Sequence, residues 1–171
     1  ILDFEAIAMV IGGNTENPDN LQGIPSVGHE YGDRPVLFVD DSHTISRIVL
    51  DALGSQGFTN LKNYADGQSA WDYLSALAKE TDKEHVREKV AAIVTDIEMP
   101  GMDGFHLTKN IRSHPVLKDL PVILYSSIVS TDNEKKGKQV GASAQLTKPH
   151  ADKVAVCLVE LFAQDDKAGA V

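Results

Sequence analysis

Five short runs rich in apolar residues alternate along this chain with stretches of helical periodicity: Val36–Val39, Leu61–Tyr64, Ala91–Thr95, Pro121–Tyr125 and Ala144–Thr147. Runs of that length, bounded by turn residues, read as strands. Strands that alternate with helices imply the parallel crossovers of an α/β domain with a doubly wound sheet. The run Leu61–Tyr64 has the weakest pattern of the five.

The intervening stretches read as helices packed on such a sheet. Ser42 can cap the first, in which Ile45, Ile48, Val49, Ala52 and Leu53 form one apolar stripe and Gly54 and Gly57 mark the end. A second helix places Ala70, Leu74, Leu77 and Ala78 on one face, with Trp71 beside them as a packing residue. The charged stretch from Lys79 to Lys89 is either the frayed end of that helix or a loop. The third, Phe105 to Arg112, stops before Pro115. A fourth, from about Asn133 to Val140, carries Gly137 and almost no apolar stripe, and Gly141 closes it. The last aligns Val154, Leu158, Leu161 and Phe162.

Around this body, 34–164, lie three segments of different character. Residues 1–11 are apolar but too few to fold alone, 12–33 are rich in Gly, Asn, Pro and Ser and read as a linker, and 165–171 read as a fraying tail. The first residue is Ile1 rather than Met, which suggests a fragment or a processed chain. No run approaches the roughly 18 apolar residues of a membrane span, and no signal segment opens the sequence. Cys157 is the single cysteine and has no partner for an internal disulfide, which fits a reducing cytoplasm. The net charge of −9 argues against binding nucleic acid, which needs a basic face. Lys135, Lys136 and Lys138 read as a solvated helix face, and the six histidines show no metal spacing.

Chemistry concentrates where the strands end. The first strand runs into Asp40 and Asp41, the third into Asp96, the fourth into Ser126 and the fifth into Lys148. In a parallel sheet these ends share one edge, the edge at which open α/β sheets place their ligands. Three carboxylates brought together repel one another unless a cation neutralises them, and an oxygen-only donor set suits Mg²⁺ better than zinc. A lone lysine beside such a site suits a phosphoryl oxygen. Taken singly, each residue has a plainer reading as a helix cap or a turn former; together they point to phosphoryl transfer onto Asp96.

The segments FVDDS, TDIEMPGMDG, PVILYSS and TKP together resemble the receiver domain of bacterial two-component response regulators, over about Pro35 to Ala163. The resemblance implies a sheet in the order 2-1-3-4-5 and Asp96 phosphorylated by a sensor histidine kinase. It implies Mg²⁺ held by Asp41, Asp96 and the backbone carbonyl of Glu98, with Asp40 assisting, and a cis Lys148–Pro149 bond. Ser126 stands where many receivers have Thr, so the hydroxyl is kept. Gln145 stands where an aromatic residue often swings inward on activation, which leaves Tyr125 as the other candidate switch residue, against a reading as plain packing. A narrower resemblance, carried by ILDFEAI, Ala70-Trp71 and KGKQVGASAQLTKPH, is to CheV-type chemotaxis proteins. It implies that 1–11 is the end of a CheW-like coupling domain and that the partner is a chemoreceptor–kinase array.

Two other functions use similar residues. An aspartyl-phosphate hydrolase of the haloacid dehalogenase kind would also attack through Asp with Mg²⁺. It would need a second Asp where Glu98 stands, and its nucleophile on the first strand. An interaction module that never carries phosphate would not need the full set of acids, hydroxyl and lysine.

Overall fold

The computed structural model describes residues 30–128 and 130–169. The proposed coupling-domain remnant, 1–11, and the linker up to residue 29 lie outside the described residues. Five strands form one parallel sheet: β1 (Val36–Val39), β2 (Leu61–Tyr64), β3 (Ala92–Asp96), β4 (Val122–Ser126) and β5 (Ala144–Thr147), in the order β2-β1-β3-β4-β5. The helices are α1 (His43–Ser55), α2 (Gly67–Glu80), α3 (Gly104–Ser113), α4 (Thr131–Val140) and α5 (Ala151–Gly169). This is the expected doubly wound order, with the third strand in the middle.

The three inner strands are buried on both faces, as βαβ crossovers require. On one face, Phe38, Val94, Ile123 and Tyr125 pack with Val49 and Leu53 of α1 and Val154, Leu158 and Phe162 of α5. On the other, Leu37, Val39, Ile93 and Val122 meet Ala70 and Leu74 of α2 and Leu107 and Ile111 of α3. Leu124, Phe105 and Ala142 fill a smaller cluster beside α4.

Several boundaries differ from the sequence reading, each for a local reason. The α1 stripe breaks at Ile48, which is 53% exposed, while Ser46 is buried in its place. Ser42 donates its backbone N–H to Asp40 Oδ1, and the Ser46 hydroxyl donates to the Asp40 carbonyl, so contacts around Asp40 set the helix phase. The stretch Lys79–Lys89 is partly helix and partly loop: α2 ends at Glu80, and a 3₁₀ turn follows at Val86–Glu88. Helix α4 begins at Thr131, two residues early, because the Ser130 hydroxyl accepts the Asn133 N–H.

The last helix does not fray after Gln164; it continues to Gly169. Its final turns are fastened by residues far away in sequence. Arg34 lies over the rings of Tyr31 and Phe162, at 4.8 and 5.1 Å, and donates to Asp166 at 2.6 Å. Arg87 pairs with Asp165 and donates to the Asp119 carbonyl at 2.8 Å. Tyr31 is buried against the core, so the packed body extends upstream of Arg34.

Cys157 is fully buried in α5, and burial pushes its thiol up to about 12. Because the thiolate is the reactive form, a thiol reagent at neutral pH is expected to leave the folded protein untouched and to titrate one thiol after unfolding in denaturant. A timed absorbance assay with an aromatic disulfide checks this.

Candidate functional site

Parallel pairing delivers the strand ends to one edge. Val39 pairs with Thr95, so Asp40 and Asp96 lie level just beyond, and Asp96 pairs with Tyr125. Asp40 and Asp96 are 1% and 4% exposed, whereas Asp41 is open to solvent. Carboxylate oxygens of Asp40, Asp41 and Asp96 lie within 4.8 Å of one another, the one acidic group of metal-binding geometry among the described residues.

Lys148 reaches into this cluster from the end of β5. Its Nζ donates to Asp40 Oδ2 at 2.6 Å and lies 3.2 Å from Asp96 Oδ2. The Lys148–Pro149 bond is cis, and the Lys148 backbone N–H donates to the Ser126 carbonyl at 2.9 Å, tying the two strand ends together. One ammonium faces three carboxylates. Burial, opposed by Lys148 and reinforced by Asp40, raises the Asp96 carboxyl above its ordinary range. A divalent cation fits this donor set, since it supplies the charge that one lysine lacks and meets oxygen ligands alone.

The connection after β3 shapes the rim. The Glu98 N–H donates to Asp96 Oδ1 at 3.2 Å, so the backbone of Glu98 curls over the acid while its side chain is exposed. Asp103 caps α3 by accepting the His106 N–H at 2.7 Å. Gly104 N–H donates to the Ile97 carbonyl at 3.0 Å, which closes the loop upon itself. A Cβ at Gly104 would sit 2.2 Å from the Asp96 carbonyl oxygen, and one at Gly67 would sit 2.2 Å from that of Met102. The constraint at both glycines is a backbone passing closely overhead.

Ser126 is buried at 2% exposure, and its hydroxyl accepts the Ile128 N–H at 3.1 Å. Ile128 itself is 49% exposed in the loop leading to α4. Gln145 lies beneath α4: its Oε1 would be 2.3 Å from a Cβ at Gly137, so the absence of a side chain there is what admits the glutamine. Tyr125 is on the other face, among the residues that meet α1 and α5, and is not placed to swing against α4. Trp71 lies edge-on to His114, 6.3 Å between ring centres, in keeping with a packing role.

Residues 36–159 match the family described as the response regulator receiver domain. This chain belongs to that family. The chain is 31% identical over 153 residues to the chemotaxis protein CheV3 of Helicobacter pylori, a match that takes in 90% of this chain and 47% of CheV3. It is 36% identical over 114 residues to CheY-3 of Vibrio cholerae, covering 67% of this chain and 79% of that one. Among solved structures, CheY4 of Vibrio cholerae superposes with a TM-score of 0.59 at 28% identity, covering 77% of this chain and 98% of the other. The receiver domain of a Syntrophus aciditrophicus histidine kinase gives 0.64 at 25% identity, covering 77% and 91%. The chain thus spans about half the length of CheV3 and most of the length of CheY-3. Among the described residues, no helix is long and apolar enough to cross a membrane.

Proposed function

We propose that Asp96 is the phosphoacceptor of a chemotaxis signalling protein and takes its phosphoryl group from the phosphohistidine of a sensor histidine kinase. The observation that carries this reading is Lys148 Nζ set between the buried carboxylates of Asp40 and Asp96 at 2.6 and 3.2 Å, with Asp41 at the mouth. An Asp96 oxygen attacks phosphorus in line, the P–N bond to the imidazole breaks with its electron pair left on nitrogen, and an acyl phosphate forms on Asp96. Asp40, Asp41, Asp96 and the Glu98 carbonyl would hold Mg²⁺, which when bound neutralises the charge of the phosphoryl oxygens.

Lys148 and Ser126 then serve the product. The lysine is within reach to trade a carboxylate for a phosphoryl oxygen. The serine uses its oxygen to accept from Ile128, and its O–H meets only the Ile128 carbonyl at a long 3.5 Å, which leaves it able to turn toward a phosphoryl group. Such a turn would disturb the loop that leads into α4, so the surface formed by α4, β5 and α5 is the proposed output. Gln145 against Gly137 is its contact with the sheet.

The narrower assignment is a CheV-type protein working in the cytoplasm, with 1–11 the end of a CheW-like coupling domain, 12–33 a tether, 34–164 the receiver, and a chemoreceptor–kinase array as partner. The match with CheV3 favours it, because 153 aligned residues exceed the length of the 34–164 body.

Incubation with acetyl phosphate and Mg²⁺ tests the central claim. The wild type is expected to gain one hydroxylamine-labile phosphoryl group by intact mass, and none when EDTA replaces Mg²⁺. No gain under either condition would leave the chain an interaction module, and steady turnover of phosphate monoesters would make it a hydrolase.

A further inference from the structure

Cross-strand register places one further side chain in the row of the two buried acids. Asp40, Asp96, Tyr125 and Leu146 lie level across β1, β3, β4 and β5. The row beneath is Phe38, Val94, Ile123 and Ala144, all in the cluster that meets α1 and α5. Tyr125 therefore shares a sheet face with the acids, one strand beyond Asp96. It is 0% exposed, and its hydroxyl has no hydrogen-bond partner. Its ring packs at 62° to Phe38, 6.4 Å between centres, and the Lys148 ammonium lies 5.7 Å from its centroid.

From this row we infer that Tyr125 is a positioning residue for phosphoryl transfer, its ring forming the wall that holds the Lys148 ammonium over Asp40 and Asp96. The inference rests on the proposed phosphoacceptor reading and concerns the same site.

Three observations support a role beyond filling space. Lysine carries a point charge on a flexible four-carbon stem, and two carboxylates on one side do not fix where that stem stands. An aromatic face within about 6 Å attracts the ammonium from a further direction, most strongly where water is excluded, and only 10% of the Lys148 side chain is exposed. Phe38, held from α1 and α5, backs the ring and fixes its plane. The hydroxyl bonds to nothing, so the group acts through its ring.

The test compares Tyr125→Phe, Tyr125→Leu and Tyr125→Met in the full chain, with acetyl phosphate as donor and the Mg²⁺ concentration varied. Tyr125→Phe keeps the ring and is expected to hold the wild-type rate within about twofold. Tyr125→Leu and Tyr125→Met lose the ring and should slow phosphorylation per folded molecule by about five- to thirtyfold, the range that loss of a cation–π contact implies. The Mg²⁺ concentration giving half the maximal rate should stay unchanged, because the acids that would hold the ion are intact. A merely structural role would lower thermal stability without changing the rate per folded molecule, which overturns the proposal. A loss in Tyr125→Phe as large as in Tyr125→Leu also overturns it, since the hydroxyl and not the ring would then be responsible. Methionine is included because it fills irregular core space flexibly and keeps a ringless variant foldable if Leu is not. Should the wild type itself gain no phosphate, the phosphoacceptor reading fails first, and that failure is separate from any result for Tyr125.

Discussion

Asp96→Asn is expected to melt higher than the wild type while taking up no phosphate from acetyl phosphate and Mg²⁺. The two outcomes share one cause. Asp96 is 4% exposed, level with Asp40 in the sheet, and its carboxyl is raised by burial and by that neighbour. At neutral pH the folded protein holds the group ionised at a cost that the solvated unfolded chain does not bear. Below the ordinary carboxylate pKa both states keep the proton, and the cost is absent. Asparagine has nearly the same shape without the charge: its one carbonyl oxygen can keep the Glu98 N–H, its amide nitrogen then stands where Oδ2 faced Lys148, and Lys148 keeps its 2.6 Å contact with Asp40. A gain of about 1 kcal/mol, or roughly 3 °C in Tm for a domain of this length, is the expected scale. Mg²⁺ should narrow the difference by raising the wild type more than the variant, since an ion bound only by the folded state stabilises that state. Calorimetry of both proteins with Mg²⁺ and with EDTA measures it. A variant that melts lower than the wild type in EDTA would mean that the carboxylate of Asp96 supports the fold through Lys148 rather than straining it.

The sheet and the acids were legible for the same reason: both depend on patterns that a single segment carries. Val36–Val39 and Ala92–Asp96 are short apolar runs bounded by polar residues, and an acid at the end of such a run arrives at the ligand edge whatever the helices do. Properties that depend on pairing between segments were not legible. The placement of Tyr125 beside Asp96 follows from strand register, which no residue near position 125 announces. Ser46 replaced Ile48 on the inner face of α1 because Asp40 needs donors, and the apolar stripe gave way to that requirement. Helix α5 passed Gln164 because Arg34 and Arg87 wait for Asp166 and Asp165. Gln145, a polar residue where an aromatic one was expected, makes sense only once Gly137 is seen lying across it.

Gly104→Ala should be strongly damaging for a change of one methyl group, and Gly54→Ala the control that isolates the reason. Neither glycine has a positive φ, so both positions accept an alanine backbone. At Gly54, near the end of α1, an added Cβ meets nothing within 4 Å. Alanine there is expected to be neutral or to stabilise by up to about 1 kcal/mol, because it narrows the unfolded ensemble and favours helix. At Gly104 the same methyl lies 2.2 Å from the Asp96 carbonyl oxygen and 3.0 Å from both the Asp96 carbonyl carbon and the Ile97 Cα. All three are backbone atoms, so relief requires the chain carrying Asp96 to move. Overpacking of this kind costs about 1–3 kcal/mol. The displacement also falls on Asp96, which on the proposed reading stands in line with an incoming phosphoryl group, where an error near 1 Å costs about a hundredfold in rate. Thermal melts and acetyl phosphate labelling of the two variants separate these effects: Gly104→Ala should lose both stability and labelling rate, and Gly54→Ala neither. Labelling at the wild-type rate in Gly104→Ala would mean that the loop yields without carrying Asp96 along, and that the close approach of Gly104 serves packing alone.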